Sequence, residues 1–309
     1  MRVLITGGCG FIGANLVRRL EGRTDVRVRV FDNESLGRRE HLGDFRGEFM
    51  SGDIRDRAAL DRALDGVDLV VHLAADTRVI ESIANPAYNF DVNVQGGLNL
   101  LEAMRARGVK RLINASTGGA IIGEAEPPVH ETMVARPLAP YGAAKLAMEG
   151  YCSAYAASYG LETLSLRFSN VYGPGSRHKG SAVAAFFKRV IAGQPLVVYG
   201  DGSQIRDFVY VDDLCDGLLA GLFGQACGVI QLGSGRPVSV ATLIETMRAV
   251  AAPKAFDVIH EPARAGEIAT TWCDITKART MLGFSPDTSL RQGLEQTWLW
   301  FVREMQLAD

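Results

Sequence analysis

Short apolar runs alternate with longer stretches of helical periodicity through the first half of the chain. The runs fall at Val3 to Thr6, Val26 to Phe31, Leu69 to Leu73, Leu112 to Ala115 and Thr163 to Phe168. Between and after them, helices are expected at 11–21, 56–65, 88–107, 141–159 and 212–223. Such alternation indicates parallel strands joined by crossover helices. The third and fourth helices are long and carry broad apolar faces, which suits a homodimer interface. Beyond residue 171 the pattern loosens: Gly173-Pro174-Gly175 breaks the chain, a helix follows from Ser181 to Ala192, and Gly200-Asp201-Gly202 turns it again. The expected fold is α/β, a doubly wound parallel sheet carrying a smaller α/β lobe over its carboxyl edge. Residues 1–170, with part of 205–232, are assigned to the sheet domain and 171–309 to the lobe, as one continuous structure.

Composition narrows the partners. The 309 residues are 47% hydrophobic and 22% charged with a formal net charge of -2, enough for a large core or two lobes around a cleft. Lys and Arg are spread throughout, so no basic tract is available for nucleic acid or a membrane surface. Five cysteines, Cys9, Cys152, Cys215, Cys227 and Cys273, are odd in number and far apart, without the spacing of a zinc site. They read as reduced thiols, and no metal is expected. The N-terminal apolar stretch is too short for a signal peptide and no segment is long enough to span a bilayer, so the cytoplasm is the expected compartment.

The strongest local signal is Gly7-Gly8-Cys9-Gly10-Phe11-Ile12-Gly13, lying between the first strand and the first helix. Its glycines permit a tight turn, close approach to a pyrophosphate and close helix packing, while the helix N-terminus offers unpaired N–H groups to the anion. The next strand ends in Phe31-Asp32-Asn33, where a dinucleotide fold of Rossmann type places an acid for the adenosine ribose. An acid there repels a 2'-phosphate and favours NAD, while Arg38 and Arg39 nearby keep NADP as the alternative. Asp53-Ile54 after the third strand fits the adenine, and Leu73-Ala74-Ala75 after the fourth fits the pyrophosphate and nicotinamide ribose.

Tyr141 and Lys145 lie four residues apart on one helical face. Taken alone, this spacing is better explained by a solvated surface pair. A tyrosine titrates near ~10, so bringing it to neutrality takes about 4 kcal/mol, part of which a nearby ammonium can supply.

The glycine loop, Asp32, His72-Leu73-Ala74-Ala75, Ser116-Thr117, Tyr141-x-x-x-Lys145 and Arg167-Phe168-Ser169-Asn170-Val171-Tyr172-Gly173-Pro174 occur in this order. With them the chain resembles the extended short-chain dehydrogenases/reductases, and within these the nucleotide-sugar epimerase/dehydratase group. Gly200-Asp201-Gly202-Ser203-Gln204-Ile205-Arg206-Asp207-Phe208 and Leu282-Gly283-Phe284-x-Pro286 extend the resemblance over essentially the whole length. It implies bound NAD and a UDP-sugar substrate, with Tyr141 taking a sugar hydroxyl proton. Lys145 would bind the nicotinamide ribose and lower the phenol pKa, and Thr117 would hydrogen-bond the reacting oxygen, with Ser116 second in line. Asn170, Arg206 and Arg264 would hold the diphosphate. A structural ion pair with Asp207 competes for Arg206, and a solvated loop position competes for Arg264.

Two departures from the group matter. In Ser116-Thr117-Gly118-Gly119-Ala120-Ile121-Ile122-Gly123, glycine stands where many epimerases carry a third hydroxyl, and Ile122 where they carry tyrosine. The Asp-Glu pair of the resembling 4,6-dehydratases and the glutamate of the decarboxylases are also missing. The expected function is therefore a nucleotide-sugar 4-epimerase acting through a 4-keto intermediate. A dehydratase or decarboxylase is the alternative, and a non-catalytic NAD sensor comes third. Arg177-His178-Lys179 could face solvent, bind the diphosphate or pair with a sugar carboxylate, which keeps UDP-glucuronate beside UDP-glucose/galactose and the N-acetyl forms. Asp76, Thr77 and Arg78 are placed at the border of the sugar.

Overall fold

The computed structural model describes residues 1–263 and 268–306. Its strands, in chain order, are β1 Arg2–Thr6, β2 Arg27–Asp32, β3 Glu48–Ser51, β4 Leu69–His72, β5 Arg111–Thr117 and β6 Glu162–Phe168. They continue with β7 Asn170–Tyr172, β8 Leu196–Tyr199, β9 Ile205–Tyr210, β10 Gly228–Leu232, β11 Pro237–Ser239 and β12 Val258–Glu261. Seven of these form one parallel sheet in the order β10-β6-β5-β4-β1-β2-β3. Side chains alternate across it. Val3 and Ile5 enter one hydrophobic cluster and Leu4 the other. Both faces are thus dry, which explains why the strand sequences are apolar at consecutive positions.

The chain runs outward from β1 to β3 and then returns to the far side of β1 with β4. Where strand order reverses, the helices leave on opposite faces and a crevice opens at the carboxyl ends of β1 and β4. The helix Val211–Phe223 packs against Phe11–Glu21, and β10 adds beside β6, so this late segment joins the sheet layer. The second layer holds a three-stranded sheet, β11-β9-β7, and the pair β12-β8, with helices Ala182–Ile191, Val240–Ala251 and Leu290–Gln306.

The expected single helix over 88–107 is broken in the structure. Asn85 caps a short helix Pro86–Phe90 by accepting the Tyr88 N–H at 3.2 Å; a π-helical turn, Asp91–Gln95, follows before Gly96–Arg107. A further helix, Val79–Ala84, precedes it where none was expected. The wide turn is tied to a tertiary contact, because it carries Asn93, whose side chain bonds the peptide of Asp76 on both sides. Helix periodicity carries no trace of such a contact. The helix Pro140–Tyr159 starts one residue before the expected position, with proline at its first turn, where a missing N–H costs nothing.

Candidate active site

A cleft of about 1250 Å³ opens at the reversal point. The glycine loop forms one wall. Gly7 has φ +72°, and a Cβ there would stand 2.5 Å from the Ala74 nitrogen; a Cβ on Gly13 would stand 2.4 Å from the Gly7 carbonyl. Only glycine lets these backbones approach so closely. Gly7, Gly10, Phe11, Ile12, Gly13, Asp32, Asn33, Asp53, Ile54, Leu73, Ala74 and Ala75 all line the cleft. The Asp32 carboxylate accepts the N–H groups of Cys9 at 2.9 Å and Glu34 at 2.8 Å, which fixes its aim. Burial moves its pKa upward. Asn33 donates to Asp53, and Arg55, bidentate on Asp53, holds that carboxyl well below its usual range. Arg38 and Arg39 do not line the cleft; the Arg39 guanidinium lies 5.0 Å over the Phe49 ring. A glycine cradle for a pyrophosphate and an acid for an unphosphorylated ribose fit NAD.

The opposite wall carries Ser116, Thr117, Tyr141 and Lys145. Tyr141 sits in the first turn of its helix, and Thr117 ends β5; both line the cleft, and the Thr117 hydroxyl favours the ionised phenol. Ser116, the second choice, turns the other way and donates to Glu149 at 2.6 Å. Glu149 is held in turn by buried Arg167 at 2.9 and 2.7 Å. Strand alternation causes this split, since neighbours on a strand face opposite sides. Lys145 Nζ donates to the Ala115 carbonyl at 2.9 Å, and burial pulls its pKa down to about 8. The expectation that Lys145 lowers the phenol pKa needs correction for the protein alone. Burial pushes Tyr141 up to about 12, Thr117 opposes this, Asp76 adds to it, and the ammonium is not among the causes. Beneath Lys145, His72 shares a 2.7 Å hydrogen bond with Thr6 and is pushed down to about 3 by burial and by the Lys145 charge.

Of the residues expected to meet the nucleotide sugar, Thr77, Asn170 and Arg206 line the cleft. Asn170 donates to the Asp207 carbonyl at 3.1 Å, and Arg206 Nη1 to the carbonyls of Ile205 and Ala269. The Asp207 carboxylate is occupied by Ser169, Ser234, Gly235 and Cys273. Arg264 lies outside the described residues. Arg177 is exposed and absent from the cleft wall, as the solvent-facing alternative has it and not as a substrate contact, whereas His178, Lys179 and Lys188 line the wall. The reason is local: Gly175 turns at φ +87° and buried Ser176 donates to Gly173, so the next side chain points outward. The His178 ring stacks on His41 at 5.4 Å, and burial lowers it to about 4.

Sequence reasoning missed Gln231. It is fully buried, lines the cleft against Gly118, and its amide has no hydrogen-bond partner among the described residues. Its only precursor in the sequence is a polar residue inside an apolar run; its place depends on β10 pairing with β6, where Gln231 sits opposite Arg167.

Residues 3–224 match the model of the NAD dependent epimerase/dehydratase family. The chain belongs to this family, and NAD is its cofactor. It is 34% identical over 321 residues to a UDP-glucuronate 4-epimerase of Thermodesulfobacterium geofontis, covering 98% of this chain and 97% of that protein. It is also 34% identical over 330 residues to a UDP-glucose 4-epimerase of Mycolicibacterium smegmatis, covering 99% and 100%. The solved UDP-glucose 4-epimerase of Thermotoga maritima with UDP-glucose superposes with a TM-score of 0.94 at 36% identity, covering 99% of this chain and 100% of that one.

Proposed function

We propose that this protein is an NAD-dependent nucleotide-sugar 4-epimerase, an isomerase that acts on a UDP-sugar through a transient 4-keto intermediate. The observation carrying this reading is the meeting of Thr117, Tyr141 and Lys145 on one cleft wall at the reversal point, followed by Gly118, Gly119 and Ala120 with no carboxylate among them. A dehydratase needs an acid and a base there to expel water, and this stretch offers neither. The names of the relatives support the same reaction.

Tyr141 takes the proton of the sugar C4 hydroxyl and later returns it, and Thr117 holds the reacting oxygen in line with the phenol. Lys145 supplies positive charge within the cofactor site and ribose contacts from its Nζ. The glycine loop and Asp32 hold the dinucleotide. Bound NAD supplies the hydride acceptor and, in its oxidised form, a positively charged ring. Asn170 and Arg206 are assigned to the diphosphate. Glycines after Thr117 leave room for the keto sugar to turn over before hydride returns to its other face.

The test is incubation of the protein with UDP-glucose, UDP-glucuronate and their N-acetyl relatives, with products resolved by NMR. A C4 epimer is the expected product. A deoxy-keto sugar or a pentose would instead identify the dehydratase or decarboxylase reaction.

We assign a homodimer through the face where helices Val79–Ala84 and Pro86–Phe90 pack on Pro140–Tyr159, leaving Ile80, Ile83 and Phe90 more than half exposed. Light scattering should give twice the 33.4 kDa chain mass. The cytoplasm is the proposed compartment, supported by five unbridged cysteines. Among the described residues, no helix is long and apolar enough to cross a membrane.

A further inference from the structure

Asp76 follows the Leu73-Ala74-Ala75 segment after β4 and is only 5% exposed, yet it lines the cleft. Its peptide is fixed from several directions. The N–H donates to Asn93 Oδ1 at 2.9 Å, and the carbonyl accepts Asn93 Nδ2 at 2.8 Å and Asn89 Nδ2 at 3.2 Å. Both asparagines are buried, and Asn93 reaches Asp76 from the π-helical turn. This backbone clamp does not use the carboxylate.

The carboxylate belongs to the same cleft wall as Tyr141. One oxygen accepts Arg78 Nε at 3.1 Å, and the Arg78 side chain stands at the rim, 47% exposed. The charge of Asp76 acts on the Tyr141 phenol, the group that must meet the reacting sugar hydroxyl. The other cations are spread along the cleft: Lys179 and His178 gather toward Lys145 and His41, Lys188 and Arg206 also line the wall, and Arg177 faces solvent. Water screens the half-exposed Arg78 more than it screens the buried acid. A buried carboxylate therefore shares the cleft with the phenol.

We propose that Asp76 selects the sugar, accepting hydrogen bonds from the hydroxyls of a neutral pyranose and repelling a substrate that carries its own carboxylate. The inference rests on the epimerase reading and narrows it: the substrate class is a nucleotide-linked neutral hexose or 2-acetamidohexose, and uronates are disfavoured. Like charges brought together in a desolvated site are costly enough to move specificity by a factor of about ten or more.

The experiment compares kcat/KM for UDP-glucose and UDP-glucuronate in the parent and in Asp76→Asn, a change close to isosteric that leaves the Asn89 and Asn93 contacts to the backbone in place. The parent should favour the neutral sugar, and the variant should raise the uronate-to-hexose ratio about tenfold. Calorimetric binding of the same two nucleotide sugars reads the same ratio if the variant turns over neither. A parent that prefers the uronate, or a ratio unchanged by Asp76→Asn, overturns the selection by Asp76 while leaving the epimerase reading intact. Absence of a C4 epimer from every sugar tried overturns both.

Discussion

Along the glycine loop the wall of the cleft is backbone; past Tyr141 toward residues 169–207 it is made of side chains. The first half is shaped by what is missing, since Gly7 and Gly13 would drive a Cβ into neighbouring main chain. The second half is shaped by what is present: Tyr141 against Thr117, Lys145 on the Ala115 carbonyl, and Asp76 clamped behind them. A backbone wall suits a ligand common to a whole family, because peptide N–H groups and a helix terminus bind phosphate whatever the side chains are. A side-chain wall can be retuned one residue at a time, which is where reaction and substrate diverge. The two halves should therefore fail differently when altered.

The largest effect belongs to Tyr141, the proposed base. Tyr141→Phe should lower kcat by about a thousandfold or more, the scale of positioned proton transfer, with NAD still bound as judged by nicotinamide extracted from the purified variant. Loss of NAD together with activity would erase the distinction between the halves. Gly7→Ala should do the reverse. An L side chain at φ +72° costs roughly 1–2 kcal/mol before any contact with Ala74 is counted, so NAD affinity should fall at least about tenfold in titrations.

A finer division lies between neighbours on β5. Thr117→Val removes the hydroxyl that favours the ionised phenol and should lower kcat by about a hundredfold, whereas Ser116→Ala should leave kcat within a few-fold and lower stability by about 1 kcal/mol through its lost bond to Glu149. Equal kinetic losses would place both hydroxyls in the reaction.

The smallest effect concerns the floor shared by both halves. His72 is held down to about 3 inside the fold but titrates near 6.5 in an unfolded chain. Between these values the unfolded state binds the extra proton, so stability is lost as pH falls through that window. Denaturation from pH 7 to pH 5 should show about 2 kcal/mol more loss in the parent than in His72→Gln. Identical pH slopes would mean that His72 is not kept neutral.

Much of the cofactor half was legible because its determinants are neighbours in sequence. Strand, loop, helix and terminal acid occupy one βαβ unit, so spacing alone placed Gly7, Gly10, Gly13 and Asp32. Tyr141 and Lys145 were equally local, one helical turn apart. The break in the helix over 88–107 was not legible, since it answers to Asp76 on another element. Gln231 was missed for the same reason. The inward turn of Lys179 in place of Arg177 depended on the packing of Ser176 under Gly173, which composition does not reveal.

The sequence by itself determined the alternating architecture, the glycine loop with Asp32 at the end of the next strand, and the Tyr141–Lys145 face, because each is written in residues close enough to interact along one strand, turn or helix. Tertiary structure alone decided that Thr117 rather than Ser116 meets the phenol, that burial lifts Tyr141 to about 12, and that Asp76 stands beside it. Those outcomes depend on β4, β5 and two separate helices converging in a desolvated cleft, where a charge or a lone pair is strong because water is excluded.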